Sequence, residues 1–507
     1  MKRLADIVVL TVALIFGMVA SSGFGDEPRR PNVIVIMADD LGYGDVSCYG
    51  AVTFQTPNID QLAKQGVRFT SGYCSASTCT PTRYSFLTGT YAFRKKGTGI
   101  APPNSPLIID TDVDTLPAIL KRAGYRTAVI GKWHLGLGGN GGPDWNGELK
   151  PGPLEIGFDH CFLLPTTNDR VPQVFVEDHR VRNLDPADPL WVGDKAPSQD
   201  HPTGVSERAT LRLDWDQGHN GTIHNGISRI GFYTGGHSAR FRDEDLADEW
   251  VLQSNRFMEE AGDEPFFLFF SSHDLHVPRM PHERFQGKTP HGLRTDAIVE
   301  LDWCVGELMT TLKRLGKEKD TLIVFCSDNG PVLNDGYKDS AVKENGTHKP
   351  AGPYRGGKYS VFEGGTRTPF ITSWPGTIDP SVSAEMVCTI DFAASLGALI
   401  GVEPGKGHCF DSENVLGALL GLDGAKGRTS LVQQDNGNGG NLGYRKGKWK
   451  LVRTVKPTRQ GNESPTMELQ LFDLENDPSE LVDVSEKNPD LFWEMWIELY
   501  VILARSK

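Results

Sequence analysis

Beyond its first twenty residues the chain has no apolar run long enough to cross a bilayer, which excludes a polytopic membrane protein. It has no excess of positive charge either. Lys and Arg number 52 against 65 Asp and Glu, a net charge of −13, which argues against a nucleic-acid surface. The same balance disfavours an anionic substrate unless the site itself is locally positive. Cys48, Cys74, Cys79, Cys161, Cys304, Cys326, Cys388 and Cys409 include no close C-x-x-C pair, which speaks against zinc. Internal repeats and low-complexity tracts are absent. What remains is 507 residues, 38% apolar and 23% charged, enough for a large core and more than one domain.

The N-terminus reads as an export signal. Lys2 and Arg3 precede the apolar run IVVLTVALIFGMVA (Ile7–Ala20) and the small residues SSGFG, so residues 1–25 are expected to be a cleaved signal peptide. A single anchoring helix is the competing reading, but the run is short for a span. The mature protein is therefore expected to be exported, whether periplasmic, extracellular or lumenal, with no membrane span.

Short apolar runs at Asn32–Met37, Tyr125–Ile130, Pro265–Ser272, Thr321–Ser327 and Pro369–Trp374 read as buried parallel strands. Helical patterns lie between them. TPNIDQLAKQG carries a cap, a proline and a closing glycine. From Arg294 to Leu315, apolar residues recur at spacings of three and four. The expected fold class is α/β, with a large central, mostly parallel or mixed sheet flanked by helices. Residues 30–400 form the expected catalytic domain, and 136–245, rich in Gly, Pro, Asp and Asn, a long loop insertion. Residues 401–428 read as a linker. Residues 429–507 read as a small C-terminal subdomain with an antiparallel sheet and a terminal helix near 488–503.

In an open α/β sheet, ligands bind beyond the carboxyl ends of the strands. The residues that follow the predicted strands are Asp39–Asp40, then Lys132 and His134 in GKWHLG, then His273 and His276 in HDLHVP, then Asp328–Asn329 in DNG. PYRGGKYSVFEGGTR adds Lys358 in a glycine-rich loop. Singly, a DD or DNG is more often a turn, and a lone Lys or His an ordinary surface or core residue. Together they gather polar groups on one sheet edge. Three carboxylates and a carboxamide are hard oxygen donors suited to Ca²⁺ or Mg²⁺. Arg83, Lys132 and Lys358 would neutralise an anion.

CTPTRYSFLTG, Cys79 to Gly89, raises the remaining question. Thr80 reads as a helix N-cap, Pro81 as the first helical residue and Gly89 as the stop, which would hold Cys79 just outside a helix N-terminus. A buried apolar thiol and a disulfide are the ordinary alternatives.

These motifs, in this order, resemble the formylglycine-dependent sulfatases of the alkaline-phosphatase superfamily. CTPTRYSFLTG resembles the family signature Cys-x-Pro-x-Arg followed by a short helix ending in Thr-Gly, with Thr82 where Ser or Ala is frequent. The likeness extends from PNVIVIMADDLGYGD through GKWHLG, SDNG and RGGKYSVFEGGTRTPF to LFDLENDPSE. It implies that a maturation enzyme oxidises Cys79 to formylglycine. The hydrated aldehyde then attacks sulfur, releases the alcohol and expels sulfate from a sulfo-enzyme intermediate. It further implies Asp39, Asp40, Asp328 and Asn329 as ligands of Ca²⁺ (Mg²⁺ possible), joined by residue 79. Arg83 would hold the diol, Lys132 and Lys358 the sulfate oxygens. His134 would be the base and His276 the general acid, with His273 either a supporting or a structural residue. Export and the polar insertion suit a sulfated glycan or other sulfate ester, and Asn168, Asp169 and Arg170 could contact a sugar, although a loop turn is the more ordinary reading of each. A phosphoester or phosphonate hydrolase of the same superfamily is the alternative enzyme. A glycan-binding pseudoenzyme is the alternative if Cys79 stays a thiol.

Overall fold

A computed structural model describes residues 30–199, 201–436, 440–456 and 466–505; the expected signal peptide, residues 1–25, lies outside them. The core is a ten-stranded sheet. Its order is Ser381–Cys388, Gly66–Tyr73, Ile371–Ser373, Thr321–Ser327, Asn32–Ala38, Phe266–Ser271, Arg126–Lys132, His160–Leu164, Val176–Glu177 and Arg180–Val181. The five strands from Thr321–Ser327 to His160–Leu164 are mutually parallel.

The continuous apolar runs follow from burial on both faces. Along Asn32–Ala38 every residue is buried, and successive side chains enter opposite layers: Val33, Val35 and Met37 join one hydrophobic cluster, Ile34, Ile36 and Ala38 the other. Helices Pro57–Lys64, Leu246–Glu260 and Leu293–Arg314 cover one face. Cys79–Thr88, Leu116–Arg122 and Phe392–Ile400 cover the other. In Leu293–Arg314 the buried Ile298, Leu301, Val305, Leu308 and Leu312 form the stripe that the spacing predicts.

Two local expectations change. The run Pro369–Trp374 forms only Ile371–Ser373, antiparallel to both neighbours rather than parallel, because a buried apolar run carries no mark of direction. The helix of the cysteine motif begins at Cys79 itself, with Thr78 as N-cap residue. Thr80 does not cap: it lies inside the first turn, where its hydroxyl donates to the His134 carbonyl at 3.1 Å and accepts from the Ala101 amide at 3.3 Å. Gly89 does close the helix, at φ 59°.

The C-terminal unit is a four-stranded antiparallel sheet, Ser430–Gln434, Leu442–Lys446, Trp449–Lys456 and Thr466–Asp473, followed by the helix Pro489–Ala504. Met495 and Leu499 of that helix share a buried cluster with Leu431, Leu451, Leu471 and Tyr73, which joins this sheet to the main one. Among the described residues no helix is long and apolar enough to cross a membrane. None of the eight cysteines is in a disulfide.

Candidate active site

The carboxyl ends of adjacent strands deliver the charged residues to one place. Asp39 and Asp40 follow Asn32–Ala38, Asp328 and Asn329 follow Thr321–Ser327, Lys132 ends its strand, and His276 lies five residues past Phe266–Ser271. Asn32–Ala38 pairs with Thr321–Ser327 from Asn32↔Thr321 to Ala38↔Ser327, which puts the two acidic turns side by side. The Asp40 amide donates to Asp328 Oδ1 at 3.3 Å, and Asn329 Nδ2 donates to Asp40 Oδ1 at 2.7 Å. Asp40 and His134 both adopt the left-handed region, at φ 61° and 54°. Such backbone costs a non-glycine residue about 1–3 kcal/mol and concentrates at functional sites.

Each cation is held by a carboxylate. Arg83 places Nε 3.0 Å and Nη2 2.8 Å from Asp328 Oδ2, and its Nη1 donates to the Lys132 carbonyl at 3.2 Å and to Ser271 Oγ. Lys132 Nζ contacts Asp39 Oδ2. Lys358 Nζ lies 2.9 Å from Asp40 Oδ2 and 2.7 Å from Asp335 Oδ2. Burial works against the charge on Lys358, but Asp335 and Asp40 hold the ammonium well above its ordinary range.

The donor set fits a hard cation. Asp39 Oδ1 and Asn329 Oδ1 are buried without any hydrogen-bond partner, a condition that costs free energy unless something binds there. Burial, then Asp328, push the Asp39 carboxyl up to about 8, and burial raises Asp40 as well. A divalent ion among these oxygens would relieve both strains. A donor nitrogen of His276 also lies within 4.8 Å of oxygens of Asp39 and Asp40.

Cys79 is buried beside this set, with Sγ 3.1 Å from His134 Nδ1. His134 Nε2 lies 3.0 Å from the Ala101 carbonyl, so Nε2 carries the proton and Nδ1 presents a lone pair to residue 79. Burial, then the charge on Lys132, push the His134 imidazole well below its ordinary pKa, so it is neutral. Burial also raises the Cys79 thiol, which makes an unmodified cysteine a poor nucleophile here. Thr82, the departure from the signature, uses its hydroxyl to tie the loop, donating to the Ala76 carbonyl at 2.9 Å and accepting from the Ala76 amide at 3.2 Å.

His276 donates from Nδ1 to the Val277 carbonyl at 2.8 Å. Burial, then Lys358 and Lys132, push its pKa well down, so the ring is neutral and Nε2 presents a lone pair. His273 is turned away: its Nδ1 accepts the Trp250 indole N–H at 3.1 Å. Its Nε2 therefore carries the proton and cannot bind a metal, although His273, Asp274 and Glu300 cluster closely enough to suggest one.

The remaining expected residues lie in the loop after His160–Leu164. Asn168 Nδ2 donates to the carbonyls of His276 and Pro278, at 3.2 and 3.1 Å, and so pins the His276 loop. Asp169 accepts from Arg170 at 3.0 Å and meets His219 Nε2 at 3.0 Å, with His276 Nδ1 4.0 Å away. Asp335, Ser271 and His219 are neighbours that the sequence did not single out. Asp335 sits in an apparent turn, NDG, and His219 in the glycine-rich insertion, where neither has a motif around it.

Fold and site together bring buried Lys and Arg side chains and hard oxygen donors to one sheet edge beside Cys79. Comparison with known proteins supplies the family. The sulfatase family model matches residues 31–402, and the chain belongs to the sulfatase family. It is 46% identical over 483 residues to an N-acetylgalactosamine-6-O-sulfatase of Bacteroides thetaiotaomicron, covering 93% of each chain. It is 32% identical to human arylsulfatase A over 74% of this chain and 64% of that one. A solved structure concerned with the metabolism of multiple glycosaminoglycans by Bacteroides thetaiotaomicron superposes with a TM-score of 0.89 at 45% identity, covering 94% of this chain and all of that one.

Proposed function

We propose that this sulfatase removes sulfate from a carbohydrate outside the cytoplasm, with residue 79 matured to formylglycine and Ca²⁺ held by Asp39, Asp40, Asp328 and Asn329. The observation that carries the mechanistic reading is the contact of 3.1 Å between Cys79 Sγ and a neutral His134 Nδ1, at the head of the complete signature. Here the thiol sulfur stands in for an oxygen of the hydrated aldehyde. The ion would supply Lewis-acid polarisation and the aldehyde hydrate a nucleophilic hydroxyl.

The chain's own groups do the rest. Lys132 and Lys358 reach the sulfate oxygens and offset charge that grows in the transition state. Arg83, buried and fixed at both ends of its fork by Asp328 and the Lys132 carbonyl, orients residue 79. His134 takes a proton from residue 79 at Nδ1 and keeps its tautomer through Ala101. His276 gives a proton to the departing alcohol oxygen. Asn168, Asp169 and Arg170 line the sugar side. The name of the relative at 46% identity supports 6-O-sulfated N-acetylgalactosamine as the substrate.

The test is a rate comparison on protein whose residue 79 has been checked by peptide mass spectrometry. N-acetylgalactosamine 6-sulfate should be desulfated faster than sugars sulfated elsewhere and faster than the matching phosphate ester. A preference for the phosphate ester would replace this reading with a phosphoester hydrolase. Thiol alone at residue 79 in active protein would remove the formylglycine step.

A further inference from the structure

The C-terminal sheet carries a buried charge network that the proposed chemistry does not use. Lys450 is the second residue of the strand Trp449–Lys456, paired to Arg445 on one side and Phe472 on the other. Its side chain is fully buried, as are those of its two partners: Nζ is 3.0 Å from Glu363 Oε1 and 3.1 Å from Glu480 Oε1. Glu480 in turn accepts from the Glu363 amide at 2.6 Å. It also belongs to the DPSE stretch, which resembles the family's but has no place in the catalytic set. Burying two carboxylates on one ammonium is weak evidence for stability, since apolar packing serves as well, and is better explained by a need for one fixed arrangement.

What the network fixes is the loop that bears Lys358. Glu363 opens a single helical turn, Glu363–Thr366, five residues after that lysine. The Gly364 amide returns to the Arg355 carbonyl at 2.8 Å, while the Arg355 guanidinium donates to the Glu480 carbonyl at 2.8 Å. The turn packs directly on the acidic strand end, for the Gly330 amide, next to Asn329, donates to the Gly365 carbonyl at 2.8 Å. A Cβ at Gly330 would come within 1.8 Å of the Gly364 carbonyl oxygen, so the approach requires glycine.

The same sheet grips the loop before Cys79. The Ser77 amide donates to the Gln434 carbonyl at 2.9 Å, and the Gln434 amide to the Ser75 carbonyl at 3.1 Å. The Tyr359 amide closes the circuit on the Ser77 carbonyl at 2.8 Å.

We infer that Lys450 and Glu480 are positioning residues: through Glu363 they set the loop that aims Lys358 at the sulfate, so that the C-terminal sheet is part of the catalytic apparatus. This rests on the proposed role of Lys358. Displacement of a catalytic group by about 1 Å costs on the order of 10²-fold in rate.

A double-mutant cycle tests it, using the full-length matured enzyme with 4-nitrophenyl sulfate and N-acetylgalactosamine 6-sulfate, well below the melting temperature. Lys450→Met should lower kcat/KM by about 10²-fold. It should also lower Tm, but Glu363 keeps Arg367 at 3.2 Å and Tyr73 at 2.5 Å, which leaves the fold other anchors. In a Lys358→Ala background, Lys450→Met should change kcat/KM less than about two-fold while its effect on Tm persists, because residues acting through one another are not additive. A loss in kcat/KM of equal size in both backgrounds overturns the inference, as does a lowered Tm with unchanged kcat/KM. If Lys358→Ala alone has no effect, the role of Lys358 fails, and positioning through it fails with it. Glu480→Gln, which keeps an acceptor for the Glu363 amide, repeats the cycle with a milder change should Lys450→Met not fold.

Discussion

Replacing His276 by alanine separates proton donation from every other function of the site. A sugar alkoxide is a poor leaving group and needs a proton in the transition state, whereas nitrophenolate needs it far less. General acid help is worth about 10²–10⁴-fold, or roughly 3–5 kcal/mol. The structure bounds the competing structural effect. The His276 side chain makes one hydrogen bond, at 2.8 Å to the Val277 carbonyl, and its loss costs on the order of 1 kcal/mol. The loop itself is held independently by Asn168 on the carbonyls of His276 and Pro278. His276→Ala should therefore fold, bind, and lose about 10²–10⁴-fold in kcat/KM on N-acetylgalactosamine 6-sulfate but about ten-fold or less on 4-nitrophenyl sulfate. The assay is the ratio of the two kcat/KM values in wild type and variant. Equal slowing of both substrates would refute the acid role.

Cys79→Ala should abolish turnover while leaving circular dichroism and Tm close to wild type, because residue 79 caps no buried network beyond His134; measurable turnover would remove the proposed nucleophile. Asp328→Ala should lose bound calcium and activity together, read by elemental analysis, and stoichiometric zinc in wild type would count against the oxygen donor set. Asp45 meets Arg294 at 2.9 and 2.6 Å and His348 at 2.8 Å; burial raises its pKa, but Arg294 and His348 outweigh it and the carboxyl is held below its ordinary value. Its stabilisation is complete above the unfolded carboxyl pKa, about 3.9, and is lost as pH falls below that, so Asp45→Asn should lower Tm at pH 6 and the gap should close under acid. A gap that stays constant from pH 6 to pH 3 would show that the Asp45 charge is not what stabilises.

Much of this arrangement was legible because two signals coincide. Apolar runs such as NVIVIM are fully buried strands, and polar pairs such as Asp39–Asp40 directly follow them, which fixes both the element and the edge to which its end points. Where one signal was missing the reading failed. Gly66–Tyr73 has the sequence GVRFTSGY, too mixed to look like a strand, yet it pairs on both sides. His160–Leu164 extends the main sheet from within the loop-rich insertion, where glycine and proline drown a run of five residues. Ile371–Ser373 runs backwards with nothing in its composition to say so. The partners Asp335 and His219 were invisible for a different reason: each meets the site only through tertiary contact, Asp335 on Lys358 at 2.7 Å and His219 on Asp169 at 3.0 Å, and local pattern carries no trace of such contacts.

The same pairing explains how a chain of net charge −13 can accommodate an anion. The positive groups of the site are buried, each against a carboxylate. Arg83 stands on Asp328, Lys132 on Asp39, Lys358 on Asp40 and Asp335, and Arg170 on Asp169. Fixed, buried and close to neutral as a set, they need little reorganisation when charge develops, and salt screens them far less than exposed groups. On the proposed reading, Asp39 and Asp40 serve two charges at once, being oxygen donors for the cation and anchors for the lysines that take sulfate. Metal occupancy and the freedom of Lys132 and Lys358 to turn toward an anion are thus coupled through two carboxylates. Net charge counts these residues as acids, but the site uses them to hold its bases in place.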